Sequence, residues 1–117
     1  MSKLIKKIFL LVVLVSGWIF NHGWASDESA LIIDVRTAQE WDAGHLAAAT
    51  HLQLENVAAG IQDLAKDRDQ IIYLYCRSGN RSGQALQILE RQGYSNVINA
   101  GGIADASDLL NQQIVSD

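Results

Sequence analysis

The chain has no proline and a single cysteine, Cys76, among its 117 residues. No Pro-rich linker can therefore divide it, and no Gly/Ser-rich tract, low-complexity segment or internal repeat marks a boundary in its place. One cysteine excludes an intrachain disulfide, the usual staple of small exported domains. It also excludes the C-x₂-C spacing of zinc sites. His45 and His51 stand too far apart to supply an H-x₃-H pair, so both read as structural or surface histidines and no metal is expected. Basic side chains are scarce, 9 against 13 acidic, which argues against nucleic acid or an anionic membrane as partner. The main apolar run, Ile8 to Phe20, holds 13 residues, short of the roughly 20 needed to span a bilayer.

That run has the layout of an export signal. Lys3, Lys6 and Lys7 precede it, and Gly23 and Ala25 offer small residues at the −3 and −1 positions of a cleavage site. Residues 1–25 are thus expected to be a cleaved signal peptide, with an uncleaved anchor as the alternative, and residues 26–117 a single domain. A periplasmic location follows. No cysteine lies near the cut to carry a lipid. The segment takes three basic and no acidic residues with it, leaving a mature formal charge of −7.

Within the mature chain, Leu31-Ile32-Ile33 before Asp34 and Ile71 to Tyr75 before Cys76 are continuous apolar runs, as expected of strands buried on both faces in a parallel sheet. Thr50 to Leu54 and Asn96 to Ala100 are weaker strand candidates. Thr37 and Glu40 have capping-box spacing for a short helix from Ala38 to about Ala43, with Gly44 at its end. Val57, Ile61, Leu64 and Ala65 make one face of a second helix, and Ser82 to Gln92, with Ala85, Leu86 and Leu89 on one side, a third that stops at Gly93. A last helix is expected from about Ala106 to Gln113. Alternating strands and helices indicate an α/β domain, with a largely parallel central sheet and helices on both faces.

Cys76 ends the strongest strand, where the sheets of α/β domains place their ligands. A lone free cysteine is often a buried small apolar residue; the surroundings here favour a reactive thiol. The turn Arg77-Ser78-Gly79-Asn80-Arg81 leads into a helix, so backbone N–H groups can cradle an anion, and two arginines flank the sulfur in an otherwise acidic protein. All three influences favour the thiolate. A C-x₅-R cradle would indicate a phosphatase or arsenate reductase; here the count is C-x₄-R, one residue shorter, and Tyr75 rather than His precedes the thiol.

Asp34-Val35-Arg36, then Glu40 and Gly44-His45, then YCRSGNRS from Tyr75 to Ser82, Gly93-Tyr94 and finally Asn99-Ala100-Gly101-Gly102 resemble, in order, the single-domain rhodanese (thiosulfate sulfurtransferase) family, most closely its small exported phage-shock type. The resemblance implies that Cys76 takes sulfur from thiosulfate as a persulfide and gives it to cyanide or a thiol. It implies that Arg77, Ser78, Gly79, Asn80, Arg81 and Ser82 hold the substrate, Arg81 being the candidate for the sulfonate, and that Asp34 and Arg36 organise the site. No cofactor, a monomer, and small-molecule donor and acceptor as the sole partners are expected. A persulfide carrier or sensor without turnover is the alternative. The chain departs from the family pattern at Ala48, where relatives carry glycine, and lacks the tryptophan that commonly follows Gly101-Gly102.

Three other features have plainer readings. Trp41 is expected to pack on the first helix, and the run Asp63, Lys66, Asp67, Arg68 and Asp69 to be a solvated helix end and loop. Asp105 and Asp108 are placed at the start of the last helix, where its dipole favours negative charge.

Overall fold

The computed structural model describes residues 30–117; the signal-peptide reading lies outside them. Four strands, β1 (Leu31–Asp34), β3 (Thr50–His51), β4 (Ile72–Cys76) and β5 (Val97–Gly102), form one sheet in the order β3-β1-β4-β5, every neighbouring pair parallel. Two-residue strands β2 (His45–Leu46) and β6 (Ile114–Val115) make a separate antiparallel ribbon. The helices are α1 (Ala38–Ala43), α2 (Val57–Leu64), α3 (Asn80–Arg91) and α4 (Ile103–Leu110), with a 3₁₀ turn over Leu54–Asn56.

Strand alternation divides the core into two layers. Ile33, Val35, Ile72, Leu74 and Cys76 point to one face, where Val57 and Ile61 of α2 and Ala85 and Leu89 of α3 cover them. Ile32 and Tyr75 point to the other, packed with Leu46, Ala100 and Ala106 of α4. Because the four sheet strands are parallel, Asp34, His51, Cys76 and Gly102 all end at one edge. The carboxyl edge thus gathers the chemistry-bearing residues.

Thr37 and Glu40 form the expected capping box: the Glu40 N–H donates to the Thr37 hydroxyl, and the Thr37 N–H to the Glu40 carboxylate. Several boundaries differ from expectation. β3 stops at His51, and Leu54 enters the 3₁₀ turn. β5 runs on to Gly102, so α4 begins at Ile103, three residues earlier than expected, and it ends at Leu110 rather than Gln113. α3 begins at Asn80 rather than Ser82, since Gly83 N–H already donates to the Gly79 carbonyl. β5 also carries one extra residue: Leu74 faces Asn99, yet Cys76 faces Gly102. Such a bulge turns side chains out of the regular alternation.

Candidate active site

Cys76 is the last residue of β4 and is 1% exposed. Gly79 takes φ +99°, open to glycine at little cost, and this bends the chain so that its N–H donates to the Cys76 Sγ at 2.9 Å. The buried Ser82 hydroxyl lies 3.4 Å from the same sulfur. Burial pushes the thiol up, but the Ser82 hydroxyl and the N–H groups of Ser82, Ser78 and Gly79 outweigh it, so the Cys76 thiol ionises below its ordinary value.

The loop rests on β5. A Cβ on Gly102 would lie 2.5 Å from the Arg77 carbonyl oxygen, backbone against backbone. Gly102 has an ordinary φ of −76°, so the requirement for glycine is one of space. Asn99 ties the pieces together: its Nδ2 donates to the Gly79 carbonyl at 3.0 Å, and its Oδ1 accepts from Gly101 N–H at 2.9 Å and from the Ser82 hydroxyl at 2.7 Å.

Of the residues expected to hold substrate, Gly79 gives its N–H to the sulfur, and the N–H groups of Ser78 and Ser82 are near enough to favour its thiolate. Arg77 is exposed beside it and makes no ion pair among the described residues. Asn80 stands at the end of the same turn. It is the first residue of α3, and its carboxamide oxygen accepts from Gln84 at 3.4 Å. Arg81 is also not a free cation. Its two terminal nitrogens donate to both Glu40 oxygens at 2.7 and 2.9 Å. That pair holds the Glu40 carboxyl down at about 2, helped by Thr37 and opposed by burial. The guanidinium remains near enough for the charge of Cys76 to raise its own pKa, after the larger influence of Glu40. The helix start that carries Arg81 is thereby fastened to α1.

Asp34 and Arg36 form a second, fully enclosed clamp. The Arg36 Nε and Nη2 donate to the Asp34 carboxylate at 2.7–3.0 Å, and Nη2 also donates to the Gly44 carbonyl at 2.6 Å. The Arg36 guanidinium carbon sits 5.6 Å from the centroid of the Tyr75 ring, and the Tyr75 hydroxyl accepts from Leu46 N–H at 3.0 Å. Burial, with the Asp34 carboxylate next to it, pushes that phenol well up. Trp41 does more than pack on its helix: it stacks on His45, ring centroids 3.5 Å apart and 2° from parallel, and on His51 at 5.1 Å. Each histidine is also tied to backbone, His45 Nδ1 2.9 Å from the Leu46 carbonyl and His51 Nε2 2.7 Å from that of Arg36.

The family model of the rhodanese-like domain matches residues 22–107. The chain belongs to the rhodanese-like domain family. It is 37% identical over 73 residues to thiosulfate sulfurtransferase PspE of Escherichia coli, covering 62% of this chain and 70% of that one. It is 36% identical over 80 residues to the putative sulfur carrier protein YrkF of Bacillus subtilis, covering 68% of this chain and 42% of that one. Among solved structures, a rhodanese with anions from E. coli superposes with a TM-score of 0.69 at 32% identity, over 75% of this chain and 99% of that one. The rhodanese-like fold therefore accounts for the parallel sheet and the strand–loop–helix at Cys76.

Sequence reasoning missed Asn99 and the second task of Glu40. The signal for Asn99 lay in the NAGG segment, visible as a motif without a role. Glu40 was already occupied as a helix cap, and nothing local told that its carboxylate also reaches Arg81.

Proposed function

We propose that the protein is a sulfurtransferase that carries sulfane sulfur on Cys76 as a persulfide, with thiosulfate as donor. The observation that carries this reading is the convergence of backbone N–H groups and the Ser82 hydroxyl on one sulfur atom at the mouth of a short loop. The thiolate attacks the outer sulfur of thiosulfate. The S–S bond of the donor breaks, its electron pair leaves with sulfite, and Cys76 holds a persulfide anion in the same ring of donors. A thiophilic acceptor then takes the outer sulfur: cyanide leaves as thiocyanate, a thiol as its persulfide, and the thiolate returns. Oxidation states balance without a cofactor.

Arg77 supplies an exposed cation for an anionic donor, and Arg81 a second charge whose position Glu40 fixes. Donor and acceptor are small molecules, and the chain acts as a monomer. The lysine-flanked apolar run before Gly23 and Ala25 supports export to the periplasm with cleavage near Ala25. The similarity to enzymes named thiosulfate sulfurtransferases supports turnover.

Intact-mass measurement tests the cycle. Thiosulfate should add one sulfur atom to the protein, an acceptor should remove it, and Cys76→Ser should show neither step while unfolding in urea like the parent. An adduct that no acceptor removes would turn the reading to a carrier or sensor. Thiocyanate formation by the serine variant would end it.

A further inference from the structure

The hydrogen-bond network around Ser82 has one direction only. Asn99 Oδ1 accepts from Gly101 N–H, and Nδ2 donates to the Gly79 carbonyl; turning the amide over would set donor against donor and acceptor against acceptor. Its orientation is therefore fixed by backbone. Ser82 lies 2.7 Å from Oδ1, and since that oxygen can only accept, the Ser82 hydroxyl must give it its single proton. The lone pairs of the hydroxyl are left facing the Cys76 sulfur, 3.4 Å away. In this arrangement a protonated thiol can donate to Ser82, but a thiolate has no proton to receive from it. To stabilise the thiolate, the hydroxyl must rotate and abandon Asn99.

We infer that Asn99 is a positioning residue for the reaction: it competes with the Cys76 sulfur for the one proton of Ser82, and so sets how readily the thiol ionises. Asn99 is the last residue of β5 in regular register, opposite Leu74, and so faces the side of the sheet covered by α3; the extra residue of the bulge follows it. The same amide holds the Gly79 carbonyl and hence the N–H that reaches the sulfur, so one side chain governs two of the sulfur's donors. The charged groups at this edge are Arg77 and Arg81 from the loop and α3, Glu40 of α1 on Arg81, the Asp34–Arg36 pair at the end of β1, and Asp105 in the first turn of α4, against Gly101. β5 contributes only uncharged residues there, Asn99 to Gly102. Its influence on the thiol therefore runs through hydrogen bonds.

The inference rests on Cys76 being the reactive thiol, but its test needs no sulfur donor. As the chain has one cysteine, the rate of iodoacetamide alkylation against pH reports the Cys76 pKa directly. Ser82→Ala should raise that pKa by less than about one unit, the worth of a hydrogen bond to an anion, because the hydroxyl gives up Asn99 to reach the thiolate. Asn99→Ala frees the Ser82 proton but also releases the Gly79 carbonyl, so its effect on the pKa should be more downward in the parent than in the Ser82→Ala background, where only the second change remains. An equal shift in both backgrounds would overturn the inference. Should Asn99→Ala not fold, Asn99→Asp keeps the acceptor: it should raise the pKa more with Ser82 present than without, and equal rises would likewise overturn it. A protein that fits this pattern yet takes no sulfur from thiosulfate would refute the proposed function and leave the role of Asn99 standing.

Discussion

The two ends of the parallel sheet are built from similar parts and use them differently. At the amino end, Tyr94 donates its hydroxyl proton to the Ala65 carbonyl at 2.6 Å and accepts from Arg68 at 2.8 Å, with the Arg68 guanidinium 4.6 Å over its ring. Beside it, Ser95 donates to the Asp69 carboxylate and Asn96 to the Asp69 carbonyl. Each of these groups is spent on a neighbour, and the result is a staple between the loop after α2 and the turn after α3. At the carboxyl end the Gly79 N–H is spent on a sulfur atom instead, and the N–H groups of Ser78 and Ser82 favour the same atom's thiolate. A polar network closed on itself holds a fold together; one that converges on a single atom leaves that atom reactive.

The sharpest way to break the comparison is at Gly102. An alanine there would place its Cβ 2.5 Å from the Arg77 oxygen, and neither backbone can yield without moving the other. The expected cost is about 2–3 kcal/mol of stability, seen as a lower urea midpoint. The shift falls on the loop that carries the Gly79 N–H, so Cys76 alkylation at neutral pH should slow as well. A stable variant with unchanged alkylation would show that the cradle does not depend on the contact with β5.

Tyr94→Phe is the counterpart at the amino end. It removes a donor from the buried Ala65 carbonyl and an acceptor from Arg68, worth about 1–2 kcal/mol together. Stability should fall and the alkylation profile of Cys76 should stay as it was. Coupled changes in both would mean that the two ends communicate through β4, whose residues Ile72 to Cys76 join them.

The parts of this molecule that were legible in the sequence are those whose causes are local. The β-branched runs at Leu31 and Ile72, the Thr37–Glu40 cap and the apolar face of α2 each carry their own signal, and the switch from strand to loop to helix placed Cys76 before any contact was known. What could not be read depends on partners far along the chain. The ribbon of His45–Leu46 with Ile114–Val115 has two residues per strand, too few for any period to show. Arg68 and Asp69 sit in a run that reads as solvated, and both side chains remain exposed while bonding residues 26 positions on. Arg81 looked like a free cation because Glu40 lies 41 residues earlier. A carboxylate has two oxygens, and only one was accounted for by the cap.

That shared carboxylate gives the carboxyl end a pH dependence with a definite sign. Glu40 is held down to about 2 from an ordinary 4.5, first by Arg81 and then by Thr37. A carboxyl depressed by folding stabilises the native state above its unfolded pKa and stops doing so as the pH falls through the folded one. The contribution of Glu40 is therefore complete above about pH 4.5 and disappears toward pH 2. Both partners keep a quarter to a third of their side-chain surface in water, 26% for Glu40 and 31% for Arg81, which limits the pair to about 1 kcal/mol. Glu40→Gln should thus be less stable than the parent by about that much at pH 6, and the two urea midpoints should converge as the pH is lowered from 4.5 toward 2. Parallel curves across that range would mean that Arg81 is held by something other than the Glu40 charge, and that the start of α3 is positioned by the loop alone.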